Sequence, residues 1–366
     1  MKRKITAFLL LALIAAGVFC AVKSYRDYQK EEAMRFVKSL GNGINIGNSL
    51  DVKGLRERIP EATVTDFEVY WGNPVSTPEL FQTIARSGIR SVRIPVSWGE
   101  HLGDGDRIDP EWMARVEEVV DDALDAGLYV ILDLHHEAWL VPNEEQEAAV
   151  TDRLRSLWQQ ISRAFADRDE HLLFEAMNEP RLVGTQYEWT EGTEEAQAVV
   201  NRLNAVFVET VRSAGGFNGE RWLLIPAYCT SGDAAALEAL QIPEDEKTIV
   251  AVHAYYPYRF AQNLDDTRGW SRESDKDTQQ LRDLIETLDS LFISRKIPVM
   301  ITEFACKDKD NLEERLDWTD YYLSMASELG IPCFWWDNGK TTQILDRSDC
   351  VWTIPELRDC LLKHQP

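Results

Sequence analysis

The sequence LYVILDLHH (Leu128–His136) is apolar almost throughout until it reaches two histidines. Nearly continuous apolar character over five or six residues is typical of a strand that is buried on both faces, as in a parallel sheet. Seven further stretches of this kind occur along the chain. They are GINIGN (Gly43–Asn48), IRSVRIP (Ile89–Pro95), HLLFEAMNEP (His171–Pro180), WLLIPAY (Trp222–Tyr228), TIVAVHAYY (Thr248–Tyr256), IPVMITEF (Ile297–Phe304) and IPCFWWDNG (Ile331–Gly339).

Helical patterns separate these predicted strands. From Asp109 to Gly127 the apolar residues recur every three or four positions, which predicts one helix face packed against a sheet. Thr77 and Asp109 each precede Pro and Glu, as expected for an N-cap followed by a first helical turn. Gly127 and Gly330 stand where a left-handed residue would end a helix. Eight strands alternating with helices predict an α/β fold, a single (β/α)8 barrel, with a doubly wound open sheet as the alternative.

The chain divides into three segments. Three basic residues at positions 2–4 precede an uncharged, mostly apolar run over residues 5–22, so residues 1–22 are predicted to be an export segment. This run is long for a cleaved signal and just long enough to span a bilayer, so both a signal peptide and a membrane anchor remain open. The protein is therefore expected to be exported, either secreted or tethered through residues 5–22. Residues 23–38 are interpreted as a polar linker and residues 39–366 as the barrel domain.

Charge restricts the class of partner. The 366 residues include 62 Asp and Glu against 39 Lys and Arg, a formal net charge of −23. Such a chain repels nucleic-acid phosphates, so no nucleic-acid partner is expected. Separately, we expect the protein to be a monomer.

Cysteine and glycine motifs exclude several kinds of site. Apart from Cys20 in the export segment, five cysteines are scattered without C-x-x-C spacing, which supports neither a disulfide framework nor a zinc site. Cys350 and Cys360 are the candidate pair for a bridge. No G-x-G-x-x-G, phosphate-binding loop or G-x-S-x-G motif follows a predicted strand, so neither a nucleotide cofactor nor a serine-hydrolase triad is indicated.

Two carboxyl groups stand out among the polar residues near the strand ends. In a (β/α)8 barrel the active site lies at the carboxyl ends of the strands. Glu179 and Glu303 close predicted strands four and seven, which face each other across the barrel. Cleavage of a glycosidic bond needs two such groups, one to protonate the departing oxygen and one to meet the oxocarbenium-like carbon.

The neighbours of these acids predict different protonation states. Asn178 and His253 are expected to hold Glu179 protonated. Arg93 and the Tyr255 hydroxyl are expected to keep Glu303 ionised, unless Arg93 forms only a structural ion pair inside the barrel.

The cluster Asp133-x-His135-His136-Glu137 raises the hypothesis of a metal site. Successive residues of a regular strand point to opposite faces, so only one of His135 and His136 is expected to face the barrel axis. A hydrolytic metal needs about three ligands, and His253 has no nearby His or Cys in sequence. We therefore expect neither a metal nor a cofactor.

Aromatic residues near the predicted mouth are candidates for sugar contacts, because a pyranose can lie flat on an aromatic ring. For each ring the alternative is that it fills the core. Trp139 follows strand three, and Trp71 lies in a loop flanked by Gly and Pro, where a core position is less expected. The candidates are Trp71, Trp98, Trp139, Tyr256, Trp335 and Trp336.

The strings GINIGNSLD, YWGNP, VRIPVSW, ILDLHHE, FEAMNEPRL, VHAYYPY, ITEF and FWWDNG occur in this order from about residue 41 onward. As an ordered set they resemble glycoside hydrolase family 5, the retaining β-glycanases of the cellulase type. HHEAWL, NEPRLVGT and WWDNG are similar to the branch of broad endo-β-1,4-glucanases and xyloglucanases, subfamily 4. The pattern departs from the family at Ala305 and Cys306, and at FEVY before WGNP, which affects subsite detail.

The resemblance implies a metal-free double displacement on β-glucan, with Glu179 as acid/base and Glu303 as nucleophile. A β-mannanase of the same fold and a non-catalytic surface carbohydrate-binding barrel remain as alternatives. The resemblance also implies supporting roles: Arg93 and Tyr255 hold the nucleophile, His253 neighbours the acid/base, Asn178 meets the sugar 2-hydroxyl, His135 contacts the sugar, and Trp336 lies beneath the −1 sugar. Four further residues are expected to bind substrate because of their places at the predicted mouth: Asn48, Trp71, His136 and Trp139.

Overall fold

The computed structural model describes Tyr25 and residues 27–366. In chain order the strands are β1 (Gly43–Ile46), β2 (Ser91–Ile94), β3 (Leu102–Gly103), β4 (Arg107–Ile108), β5 (Tyr129–Asp133), β6 (Leu172–Glu175), β7 (Leu223–Ser231), β8 (Thr248–His253), β9 (Val299–Phe304), β10 (Cys333–Asp337), β11 (Leu345–Asp346) and β12 (Val351–Trp352). Eight parallel strands close into a barrel in the order β1-β10-β9-β8-β7-β6-β5-β2. Seven of these strands lie within the predicted stretches, and β7 begins within WLLIPAY but continues three residues beyond it, to Ser231. The predicted (β/α)8 barrel is therefore confirmed and the open sheet is excluded.

Helices cover the outside of the barrel. They are α1 (residues 27–40), α2 (Val64–Val69), α3 (Pro78–Arg86), α4 (Pro110–Asp125), α5 (Glu147–Ala164), α6 (Glu194–Ser213), α7 (Ala234–Glu238), α8 (Tyr258–Ala261), α9 (Asp275–Leu291), α10 (Leu312–Glu328) and α11 (Pro355–Lys363). The Asp109 side chain caps α4 as predicted, whereas Thr77 makes no side-chain cap at α3. Gly127 and Gly330 have φ values of 82° and 71°, the left-handed conformation predicted for them.

Helix α1 packs against the residues that fill one end of the barrel. Its Ala33, Val37 and Leu40 are buried in a cluster with interior residues of the barrel strands, and Phe36 stacks on Trp222 with ring centroids 4.4 Å apart. These positions recur every three or four residues, so they form one apolar face within a polar segment. Most of the segment expected to be a linker is therefore part of the folded domain, which begins before the predicted boundary at residue 39.

Two of the predicted mouth aromatics belong instead to the core. Trp98 and Trp335 are completely buried. The Trp335 indole donates to the backbone oxygen of Thr342 at 2.8 Å, and the Trp98 indole donates to that of Asp133 at 3.0 Å. A buried indole N–H needs such a partner, so both rings are fixed as packing residues.

The described part of the chain contains no disulfide. Its five cysteines are all free thiols, so the bridge suggested between Cys350 and Cys360 is not formed. No helix among the described residues is both long and apolar enough to cross a bilayer. The export segment predicted over residues 1–22 lies outside the described residues.

Candidate active site

Two acidic side chains meet where the barrel strands end. Glu303 lies in β9, and Glu179 lies four residues beyond the last residue of β6. One carboxylate oxygen of each residue and one ring nitrogen of His253 lie within 4.8 Å of one another. The barrel thus brings together two acids that are far apart in sequence.

Arg93 on β2 lies beneath this pair and is fully buried. Although burial opposes its charge, three carboxylates hold the pKa of Arg93 above its usual value. All five guanidinium N–H groups find acceptors, which is the condition for keeping a buried Arg. The acceptors are Glu175 Oε2 at 2.6 Å, Glu303 Oε1 at 2.7 Å, Asp133 Oδ2 at 2.7 Å, Asn178 Oδ1 at 2.9 Å and Asn45 Oδ1 at 3.0 Å.

His253 and Tyr255 complete the surroundings of the two acids. The Tyr255 hydroxyl donates to Glu303 Oε2 at 2.7 Å, so Glu303 is bound at one oxygen by Arg93 and at the other by Tyr255. His253 Nδ1 lies 3.0 Å from Glu179 Oε1, and its Nε2 lies 3.6 Å from Glu303 Oε1. His253 therefore bridges the acids, whereas Asn178 contacts Arg93.

The surroundings of the two carboxyl groups differ. Burial raises the pKa of both Glu179 and Glu303. For Glu303 this effect is opposed by His253, Arg93 and the Tyr255 hydrogen bond. For Glu179 it is opposed chiefly by Arg181, whose guanidinium lies 3.3 Å from Oε2. Because Glu303 accepts two short hydrogen bonds, the geometry favours an ionised Glu303 beside a protonated Glu179.

A cavity opens above the two acids. Trp336 lies on one wall, and its ring is parallel to that of His135 with centroids 5.5 Å apart. The structure brings eight of the predicted site residues to the lining of this cavity. They are His135, His136, Asn178, Glu179, Tyr255, Tyr256, Glu303 and Trp336.

Three other predicted substrate contacts lie apart from this lining. Trp71 packs edge-on against His136 with ring centroids 5.9 Å apart. Asn48 has a left-handed backbone conformation just after β1, and the Trp139 indole donates to Glu137. Neither Asn48 nor Trp139 is among the residues that line the cavity. Contact of these three residues with a substrate stays a prediction.

The prediction that only one of the two adjacent histidines faces the site is wrong. Strand β5 ends at Asp133, so the alternation of side chains does not extend to His135 and His136. Both line the cavity, and their ring centroids are 4.4 Å apart. Burial holds the pKa of each well below the usual value, so both imidazoles are neutral at pH 7.

Sequence reasoning missed several residues of the site. Glu175 and Asn45 lie within apolar strands and accept hydrogen bonds from Arg93. The only feature of the sequence that could have indicated this contact is a polar residue within a buried, apolar run. Arg181 directly follows the Asn-Glu-Pro string and contacts Glu179. Its position in the sequence gave no indication of this contact.

Removing the charge of Arg93 is expected to destabilise the fold. Arg93→Met leaves Asp133, Glu175 and Glu303 buried without their partner, and we expect a loss of about 3–5 kcal/mol in the free energy of unfolding. The folded-state pKa of Asp133, which burial already raises to about 6, then rises further above its unfolded value. Such a group stabilises the fold at low pH and loses that contribution as the pH rises through the folded-state pKa. Urea unfolding should therefore show a larger deficit at pH 8 than at pH 5.

Arg221 provides the matched control, because it is almost equally buried but, within the described part of the chain, no carboxylate accepts from it. Its guanidinium donates only to carbonyl oxygens, at 2.7–3.1 Å. Arg221→Met should destabilise by an amount that changes little between pH 5 and pH 8. A deficit of Arg93→Met that is equally independent of pH would contradict this account of the carboxylate cluster.

The separation of the two acids defines the chemistry that they support. Carboxyl groups about 5–5.5 Å apart occur in glycosidases that retain the anomeric configuration, and about 6.5–9.5 Å in those that invert it. The approach of Glu179 and Glu303 to within 4.8 Å between oxygens fits the shorter range. A parallel (β/α)8 barrel that carries this pair at its carboxyl end has the architecture of a retaining glycoside hydrolase.

Comparison with known proteins gives the family. The model of the family described as cellulase (glycosyl hydrolase family 5) matches residues 55–342. The chain belongs to glycosyl hydrolase family 5. It is 41% identical over 342 residues to endoglucanase B of Ruminococcus albus, covering 91% of this chain and 80% of that protein.

Two further relatives extend the comparison. Endoglucanase A of Clostridium longisporum is 40% identical over 341 residues, which cover 90% of this chain but only 65% of that longer protein. The solved structure of a GH5-4 broad specificity endoglucanase from Ruminococcus champanellensis with bound cellotriose is 36% identical, with a TM-score of 0.86. The match covers 90% of this chain and 97% of that structure. The chain thus resembles endoglucanases over nearly its whole described length.

Proposed function

We propose that this protein is a retaining endo-β-1,4-glucanase that hydrolyses β-glucans by double displacement. The observation that carries the proposal is the pair Glu179 and Glu303, held within 4.8 Å between carboxylate oxygens by different partners. The family and the endoglucanase relatives support the same activity. A non-catalytic binding barrel gains nothing from two acids so close together that they cannot readily both be ionised.

In the first step, Glu303 attacks the anomeric carbon while Glu179 gives its proton to the glycosidic oxygen. The carbon–oxygen bond to the leaving sugar breaks, and a covalent glucosyl ester forms on Glu303. Arg93 and Tyr255 keep the attacking carboxylate ionised and oriented through their bonds of 2.7 Å. The leaving sugar departs as an alcohol that carries the former proton of Glu179.

In the second step, Glu179 is a carboxylate and takes a proton from water, which attacks the anomeric carbon of the ester. The bond to Glu303 breaks, and the sugar leaves with its original configuration. His253, 3.0 Å from Glu179, and Arg181, 3.3 Å from it, stabilise this carboxylate until it is protonated again. The same residue thus serves first as acid and then as base.

The cavity lining supplies sugar contacts. We assign Trp336 to the apolar face of the −1 sugar and His135 to one of its hydroxyls, because both side chains line the cavity and their ring planes are parallel. Asn178 is assigned to the 2-hydroxyl, since its amide N–H groups remain available while its oxygen accepts from Arg93. His136 and Trp71 extend this wall, and Asn48 and Trp139 are proposed as more distant contacts.

A substrate panel tests the activity. We expect the protein to hydrolyse barley β-glucan, carboxymethyl cellulose and xyloglucan, with less activity on xylan and mannan. Viscosity should fall before much reducing sugar appears, as internal cleavage requires. The broad specificity of the R. champanellensis relative supports a wide glucan range. Preference for mannan would identify the alternative β-mannanase, and binding without any hydrolysis would identify a carbohydrate-binding barrel.

We also propose that the protein is exported and acts as a monomer on an extracellular polysaccharide. The basic residues 2–4 and the apolar run over residues 5–22 support export. Detergent-free extraction of expressing cells distinguishes a cleaved signal, which releases the protein, from a membrane tether, which retains it.

A further inference from the structure

A carboxylate and two imidazoles converge beside the acidic pair. Asp51 is completely buried, and its Oδ1 accepts from the backbone N–H of Ser49 at 2.7 Å. The other oxygen, Oδ2, has no hydrogen-bond partner among the described residues. One ligand atom each of Asp51, His135 and His136 lies within 4.8 Å of the others. A buried carboxylate oxygen is normally paired, so Asp51 Oδ2 is a candidate ligand atom for a bound cation.

The hydrogen bonds of His135 direct its free nitrogen into this cluster. Its Nδ1 lies 2.8 Å from Asp133 Oδ2, so the proton sits on Nδ1 and donates to that carboxylate. The lone pair is then on Nε2, which lies 3.9 Å from Asp51 Oδ2. An imidazole whose far nitrogen donates to a carboxylate is the usual arrangement of a metal-ligating histidine.

We propose that Asp51, His135 and His136 form a binding site for a divalent transition-metal ion such as Zn²⁺ or Cu²⁺. Two imidazole nitrogens and one carboxylate oxygen are the donor set that these ions prefer over Mg²⁺ or Ca²⁺. The Nε2–Oδ2 distance of 3.9 Å is compatible with one ion joined to both atoms by bonds of about 2.0–2.2 Å. Because both histidines line the cavity, the remaining coordination positions face the cavity rather than the core.

The ion has no part in the double displacement and competes with the glucan. His135 and His136 line the same cavity as Glu179, Glu303 and Trp336, so an ion on the imidazoles occupies space and donors that a sugar would use. The ion and an oligosaccharide should therefore exclude each other. This site differs from the second cluster of possible ligands, which consists of Glu179, His253 and Glu303.

Calorimetric titration of the intact protein with Zn²⁺ at pH 7.5 tests the site. We expect one ion per chain. Asp51→Asn keeps an oxygen for the Ser49 N–H but removes the charged ligand, and His136→Ala removes one imidazole. Each substitution should weaken Zn²⁺ binding by at least about tenfold. A loss of about 10–100-fold in metal affinity is typical even when the substituted residue only orients a ligand, and Asp51 and His136 are proposed to be ligands themselves. Cellotriose at saturating concentration should weaken it as well.

Two control variants distinguish this site from Zn²⁺ binding elsewhere on the protein. His171 is partly exposed and pairs with Asp169 at 2.9 Å, and His171→Ala should leave Zn²⁺ affinity unchanged. Glu303→Gln should also leave it unchanged, because that residue belongs to the second cluster. The electron paramagnetic resonance spectrum of bound Cu²⁺ should show two imidazole nitrogens in the wild type and one in His136→Ala. Unchanged Zn²⁺ affinity in Asp51→Asn and His136→Ala, or its loss in Glu303→Gln or His171→Ala, would overturn the proposal.

Discussion

Glu303→Ala is expected to lower kcat on β-glucan by at least about 10⁴-fold, because no other group can form the covalent ester at that carbon. The fold should remain intact, since Arg93 keeps its bonds to Asp133 and Glu175. Initial rates on barley β-glucan and a thermal melt measure the two effects. Glu286→Ala, which removes an exposed carboxylate from α9, should retain wild-type kcat.

Azide provides a positive test for the role of Glu303. In Glu303→Ala the space left by the carboxylate admits azide, which attacks an activated aryl β-cellobioside from that side in a single displacement. The expected product is the α-cellobiosyl azide, with inverted configuration. Formation of the β-azide in this variant, or near wild-type turnover of β-glucan without azide, would remove Glu303 from the nucleophile's position.

Glu179→Ala is expected to lower kcat on β-glucan by about 10²–10⁴-fold, the usual scale of general acid–base catalysis. Its effect should depend on the leaving group. A 2,4-dinitrophenyl cellobioside needs no proton to depart, so the first step stays fast while the second, which needs a base, becomes slow. A burst of dinitrophenol followed by slow turnover is the expected measurement. Azide should then give the β-cellobiosyl azide, because it attacks the ester on Glu303 from the side that Glu179 has vacated.

The dependence of activity on pH gives a second test of Glu179 as the catalytic acid. The first step needs this group protonated, and burial raises its pKa, so activity should persist above the pH at which an exposed Glu loses its proton. The decline of kcat/KM at high pH should disappear in Glu179→Ala when the substrate is the activated aryl glycoside. A basic limb that is unchanged in this variant, together with no burst, would show that another group is the acid.

Much of the fold could be predicted because a buried strand appears in the sequence as a run of consecutive apolar residues. In runs such as LYVILDLHH and TIVAVHAYY the consecutive apolar residues themselves indicate burial. Seven of the eight barrel strands lie within predicted stretches, and only β7 extends beyond its stretch. Helix α1 was missed because its apolar positions, Ala33, Phe36, Val37 and Leu40, are spaced within a charged segment that resembles a linker. Its burial depends on the barrel residues that it meets.

The candidate site was predicted at the level of residues but not of contacts. Glu179, Glu303, Arg93, His253 and Tyr255 lie together as expected. The strand alternation used for His135 and His136 failed because β5 ends two residues earlier, and a strand end is the least certain part of a sequence-based assignment.

The sequence by itself determined the alternation of strands and helices, the polar residues at the strand ends and the family resemblance, since all of these are patterns of neighbouring residues. Only the tertiary structure decided which side chains lie close enough to form hydrogen bonds and ion pairs. Arg93 and Glu303 are 210 positions apart, and no local pattern records that they meet at 2.7 Å. The same holds for Asp51 and His135, whose approach to 3.9 Å suggests a metal site. Closure of the barrel sets such distances, because it places residues from several strands around one axis.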